Sequence, residues 1–198
     1  MNEAFDCLIS LLQADRSIRR YEEGVKVETE TLKKLVSLTR FCASGRNLQP
    51  VKYRLVNEKE ECEKIFPYLK WAGYLTDWDG PEKSERPSAY LIQCLDTSLT
   101  KNYLCDDGLQ LQALTLGATA LGLGCCIIKS FDALKICEVL NIPEGFQPLY
   151  VVSVGKPKEK VVIEDIRKEG DDGIKYYRTP DGVHHVPKRN TDDLIIKC

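Results

Sequence analysis

The chain has 198 residues, 43% of them apolar and 29% charged, and a net charge of −2. That length suits one domain able to bury its own core, and the near-neutral balance excludes a general attraction to nucleic acid or acidic membrane. The longest apolar runs, such as Leu121 to Ile128, fall far short of the roughly 20 residues a helical span needs. Met1 to Asp6 carries acidic residues where a secretion signal has basic ones, so the expected location is the cytoplasm.

The first predicted element is an amphipathic helix over residues 3–14, with Phe5, Leu8, Ile9 and Leu12 on one stripe. Directly after it comes Asp15-Arg16-Ser17-Ile18-Arg19-Arg20-Tyr21, three guanidiniums and a hydroxyl in five residues. Such a cluster is a poor core and a good receptor for a phosphate-bearing ligand. A second helix is predicted from about Glu28 to Cys42, with Thr29 as its cap. The loop Ala43 to Pro50 follows, rich in uncharged donors and acceptors suited to the edge of a heteroaromatic ring.

Val51 to Val56 reads as a strand and Glu58 to Phe66 as a short charged helix. The stretch Pro67 to Pro87 is too irregular for a long element; its Trp71, Tyr74 and Trp78 either line a cleft or pin the loop down. Ala89 to Leu95 is a buried strand. Residues 106–121 form a helix apolar nearly all round, hence central. Cys125 to Ile128 reads as a strand, Asp132 to Leu140 as a helix, and Leu149 to Val154 as a strand. Beyond Pro157 apolar density falls, which suggests an arm that docks elsewhere, for instance on a second subunit.

The nine cysteines include no C-x-x-C pair, and the two histidines, His184 and His185, are adjacent. Small buried hydrophobes in a reducing compartment are expected, and no metal site. There is no G-x-G-x-x-G turn, P-loop or G-x-S-x-G elbow. What remains is the Arg16 to Arg19 grip, the polar loop from Ser44 to Gln49, and a basic pair at Lys188-Arg189. A phosphorylated heteroaromatic cofactor fits all three.

The sequence resembles the nitroreductase family of FMN-dependent oxidoreductases along nearly its whole length. Arg16-Ser17-Ile18-Arg19-Arg20-Tyr21 matches the family's Arg-Ser-x-Arg-x-aromatic signature, and Ala43 to Pro50 its Pro-Ser-[Ser/Ala]-x-Asn-x-Gln-Pro loop. Gln110, Gln112 and Gly122-Leu123-Gly124 match the apolar helix ending Gly-Leu-Gly. Gly155-Lys156-Pro157 and Lys188-Arg189 match the closing strand and basic pair. Two positions depart: Asp15 stands where a basic residue is frequent, and Ala43 replaces the loop proline.

The resemblance implies an α+β fold with a mostly antiparallel sheet flanked by helices, in an intertwined homodimer. It implies a single FMN-binding domain over residues 1–198, with 157–198 as an arm on the partner subunit. Arg16 and Ser17 would hold the phosphate and ribityl side of FMN, and Arg19 the pyrimidine edge. Ser44, Asn47 and Gln49 would reach the flavin from the partner. Backbone from Ile127 to Ser130, Ile128 and Lys129 included, would flank flavin N5, and Lys188 with Arg189 would close on the phosphate. The implied activity is hydride transfer from NADH or NADPH to a nitroaromatic or quinone-like small molecule, with no side-chain acid or base. Two alternatives stand beside it: a family member with other flavin chemistry, such as dehalogenation or flavin fragmentation, and a non-enzymatic flavin-binding protein.

Overall fold

A computed structural model describes residues 2–166 and 171–196. Its elements are α1 (Glu3–Ala14), α2 (Thr29–Thr39), β1 (Val51–Val56), α3 (Lys59–Ile65), β2 (Ala89–Asp96), α4 (Asp106–Ala120), β3 (Gly124–Ile128), α5 (Ala133–Leu140), β4 (Phe146–Gly155), β5 (Val161–Asp165), α6 (Asp171–Ile174), β6 (Tyr177–Arg178) and β7 (His184–Lys188). The main sheet has the order β1-β2-β4-β3, every neighbour antiparallel. The fold is α+β, as expected.

The central strands are buried on both faces, so β2 and β4 read as continuous apolar runs rather than alternating ones. One face packs against α3 and α5 through Ile65, Tyr90, Ile92, Cys126, Ile136 and Val151. The other packs against α2 and α4 through Leu32, Leu35, Leu91, Leu114, Ala118 and Val152. Local signals fix the helix ends. Asn2 and Asp132 cap α1 and α5 with side-chain oxygens, and Asn141 closes α5 in the left-handed region at φ 50°. Thr29 is not a cap: α2 starts on it with Glu28 before it, and its hydroxyl instead pairs with Asn57.

Two burial expectations are corrected. Along α4, Leu111, Leu114 and Ala118 are buried, whereas Leu109 and Leu121 are exposed and Gln110 takes an inward place. Gln110 tolerates that place because its carbonyl accepts from the Tyr53 hydroxyl at 3.0 Å, and Gln93 donates to the same hydroxyl at 2.9 Å. The stripe of α1 is helical as read, but the helix buries no residue within the chain.

After Pro157 the chain builds a second small sheet, β5-β7-β6, with β5 parallel to β7. The loop aromatics hold it: Tyr74 lies 4.9 Å from Tyr176 ring to ring, and Arg178 sits 4.7 Å above Trp78. Trp71 is buried against Phe66. These three aromatics pin structure in place.

Candidate functional site

The stretch Arg16 to Tyr21 leaves α1 and runs beside the outer edge of β3. Ile18 donates its N–H to the Cys125 carbonyl at 2.8 Å, and Ser17 bridges Cys125 in parallel sense. Tyr21 locks the far end: it is wholly buried, with its hydroxyl 2.5 Å from the Ile18 carbonyl and 2.7 Å from Ser153. The approach depends on Gly124, where an added Cβ would lie 2.6 Å from Ile18 Cγ1 and 2.9 Å from Pro157 Cγ. Gly124→Ala is therefore expected to cost roughly 1–3 kcal/mol, read as a lower urea midpoint; an unchanged midpoint would show that the stretch is not seated on β3.

Arg16 donates Nη2 to the Leu12 carbonyl at 2.8 Å, while its buried Nε has no hydrogen-bond partner. Ser17 is exposed beside it. An unpartnered guanidinium donor next to a free-standing hydroxyl fits the anionic end of a cofactor. Arg20 has a different job from its neighbours, forming a two-point ion pair with Glu85 at 2.5 and 2.7 Å. Together with Lys158, it holds the Glu85 carboxyl down at about 2.

Arg19 is engaged from the C-terminal sheet. Its Nη1 lies 3.3 Å from the Ser17 carbonyl and 3.4 Å from His184 Nε2, and its guanidinium sits 5.1 Å from the Tyr176 ring centre. Its N–H donates to Glu159, whose other oxygen accepts from Arg178 at 3.0 Å. His184 is 1% exposed. Burial, then Arg19, Arg178 and His185, lower its pKa to about 4. It is neutral at physiological pH.

Asp15 Oδ2 accepts from Gln112 Nε2 and from Thr115 Oγ1, both at 2.7 Å, so it ties the end of α1 to α4. The other end of α4 holds the polar loop. Asp106 is 1% exposed. It accepts from Ser44 Oγ at 2.5 Å and from the Gly45 N–H at 2.8 Å. Ser44 Oγ in turn accepts from the Gln49 N–H at 2.9 Å, and Gln49 donates to Asn47 Oδ1 at 3.2 Å. Arg46, Asn47 and Gln49 all lie in the left-handed region, at φ 54°, 55° and 50°. That strain concentrates where a ligand-binding turn is expected.

Both walls are thus mounted on one helix. The nine-residue step from Asp106 to Thr115 sets them roughly 14 Å apart along its axis. Within a single chain, Ser44 to Gln49 and Arg16 to Arg19 do not meet. Ile128 is buried, so only its backbone is available, whereas Ile127 is 40% exposed beyond the point where Ser17 bridges β3. Lys129 is exposed, donating to the Leu149 carbonyl at 3.2 Å with its ammonium 4.2 Å from the Tyr150 ring centre. Lys188 and Arg189 are exposed at the end of β7. Lys188 lies four positions along the strand from His184, roughly 13 Å from the residue that contacts Arg19.

The Nitroreductase family profile matches residues 13–92 and 104–156, two thirds of the chain. The chain belongs to the nitroreductase family. A protein of Archaeoglobus fulgidus, provisionally named NADH dehydrogenase/NAD(P)H nitroreductase, is 26% identical over 187 residues, covering 90% of this chain and 97% of its own. Among solved structures, a nitroreductase family protein from Streptococcus pneumoniae superposes with a TM-score of 0.68 at 20% identity, covering 96% of this chain and 100% of its own. A nitroreductase-type protein from Exiguobacterium sibiricum, solved in complex with FMN, gives 0.64 at 18% identity, covering 76% and 88%.

Sequence reading missed Asp106, Glu159, His184 and the partners of Asp15. Acidic residues at a helix start, such as Asp106 and Asp107, read equally well as complements to the helix dipole. Nothing in the sequence paired Asp106 with Ser44. The cysteines of the core are inert: burial pushes Cys62 and Cys94 up to about 12 and raises Cys125 and Cys126 as well.

Proposed function

We propose that the chain is an FMN-dependent oxidoreductase that passes a hydride from NADH or NADPH to an electron-poor acceptor, nitroaromatic or quinone-like, in alternating half-reactions at one place. The observation that carries this reading is the buried, unpartnered Nε of Arg16 beside the exposed hydroxyl of Ser17. When bound, FMN supplies hydride acceptance and release at its N5. Arg16 holds the phosphate through the nitrogen that lacks a partner, and Ser17 donates to the same end. Arg19 contributes positive charge at the pyrimidine edge, with its orientation set by His184 and Tyr176. The backbone beyond Ile127 and the flanking Lys129 line the N5 side, and Lys188 with Arg189 close on the phosphate.

Asn47 and Gln49 present amides to the ring from a second copy, on a turn that Ser44 holds in shape. The homodimer this requires is supported by unburied apolar surface: Phe5, Leu8, Ile9 and Leu12 on α1, Leu109 and Leu121 at the ends of α4, and Leu194 to Ile196 near the C-terminal end of the chain. In this dimer α4 lies at the contact, and the exposed Leu194 to Ile196 beyond β7, rather than the small sheet that packs on its own chain, reach the partner.

Purified protein is expected to take up FMN with quenching of flavin fluorescence and to oxidise NADH or NADPH when a nitroaromatic is present. Arg16→Gln removes a charged hydrogen-bond donor and is expected to weaken FMN binding at least about tenfold. Protein that stays colourless after FMN addition sinks the reading; wild-type affinity in Arg16→Gln removes Arg16 from the site.

A further inference from the structure

The extended chain entering β2 carries Arg86, Ser88 and Tyr90 at alternate positions, so their side chains leave one face of the backbone. All three line a pocket of about 520 Å³ between the Glu22 to Lys26 turn and the start of α3. That volume suits a small organic ligand. The pocket lies on the α3 side of the sheet, where Tyr90 packs, and not on the α4 side that carries Asp106.

The polar ends of the three residues lack protein partners. Arg86 Nε and Ser88 Oγ are buried with none. Arg86 stacks on Phe66, whose ring centre lies 3.6 Å from the guanidinium carbon. One face of the fork is covered, which leaves its edge for a ligand. Tyr90 is 1% exposed, and among the described residues no hydrogen bond reaches its hydroxyl. Leaving the Arg86 and Ser88 atoms buried and unsatisfied is unfavourable, and a bound group that accepts from both removes the penalty, with the Tyr90 hydroxyl lining the same pocket.

The hydroxyls of Ser88 and Tyr90 can donate and Arg86 can only donate, so the complementary group is an acceptor, and the charge of the guanidinium favours an anionic one. The lining also bears on its charge. Four basic side chains, Arg86 among them, are balanced by four glutamates, so the lining is neutral overall, and each further negative charge on the ligand adds repulsion from the glutamates, which favours a single charge placed at Arg86. Pro87 and Val25 add apolar wall.

We propose that this pocket is a second ligand site, separate from the flavin site, that takes a small organic monocarboxylate. The carboxylate pairs with the Arg86 fork and accepts from the hydroxyls of Ser88 and Tyr90, and the apolar body rests against Val25 and Pro87. The proposal is independent of the flavin reading.

The test is calorimetric titration of the full chain with sodium benzoate, with and without added FMN, and with inorganic phosphate as a second probe. Benzoate is expected to bind saturably with a Kd on the order of 1 mM, the range open to a ligand of that size. Phosphate should bind at least about tenfold more weakly. Arg86→Lys keeps the charge over Phe66 but loses the fork, and should weaken benzoate about tenfold. Tyr90→Phe removes one hydroxyl only and should weaken it about threefold or more. Circular dichroism checks that each variant keeps its fold. The proposal is overturned by lack of saturable benzoate binding up to about 20 mM, by phosphate binding as tightly as benzoate, or by folded Arg86→Lys and Tyr90→Phe proteins that bind benzoate like the parent.

Discussion

Asp106→Ala is expected to lower both stability and FMN affinity, although Asp106 need not touch the cofactor. Its carboxylate accepts two hydrogen bonds inside a buried site, from Ser44 Oγ and from the Gly45 N–H. Removing the acceptor leaves both donors unpaired, a loss of roughly 2–4 kcal/mol. The turn it anchors holds Arg46, Asn47 and Gln49 at positive φ, each a strain of about 1 kcal/mol or more. With the clasp gone, those residues relax and the amides of Asn47 and Gln49 no longer point one way. FMN affinity should then fall by about thirtyfold or more. Asp106→Asn separates the two effects: its Oδ1 still accepts from the Gly45 N–H and its NH2 can donate to Ser44 Oγ, so the shape is kept with weaker, uncharged bonds and the decreases should be smaller. Urea denaturation and a flavin-quenching titration read the outcomes. If Asp106→Ala left the turn's affinity for FMN at the parent value while lowering stability, the clasp would be structural only.

The elements most legible in the sequence were those whose signal is local. Val51 to Val56 appears with the bounds read from its alternation, and α4 and α5 begin and end within a residue of the bounds 106–121 and 132–140 read for them. Burial was less legible, because it depends on what covers a face. Gln110 is inside because Tyr53 waits there, and Leu109 is outside because none of the described residues covers it. The Arg16 to Tyr21 stretch was visible as chemistry. Its division of labour was not: Arg20 belongs to Glu85, and Arg19 to His184 and Glu159, partners 65 to 165 residues away. Asp15 shows the same limit, since its partners lie about 100 residues on, along α4. The C-terminal segment read as an arm without a core of its own. It folds as a small sheet by borrowing Tyr74 and Trp78 from a loop far upstream.

Buried His184 in that small sheet makes the protein acid-labile in a defined window. His184 sits between Arg19, Arg178 and Tyr176 with its pKa lowered to about 4 from 6.5. Between those values the unfolded chain binds the proton and the folded chain does not, so stability falls as pH drops from 6.5 towards 4. The full difference corresponds to roughly 3 kcal/mol. Glu85 adds a second, lower window with the same sign. Its folded pKa of about 2 lies below the ordinary 4.5, so the stability from its pairing with Arg20 and Lys158 is present above 4.5 and lost as pH falls towards 2. His184→Phe keeps the ring against Tyr176 and removes the titration. Urea denaturation at neutral pH and at steps down to pH 4 should show the parent losing roughly 2–3 kcal/mol, with most of that slope absent from His184→Phe. Amide exchange should show β7 opening first, because the protonated imidazole would face two guanidiniums there. A parent whose stability is flat from pH 7 to 5, or a variant with the parent's slope, would show that His184 is not the titrating group.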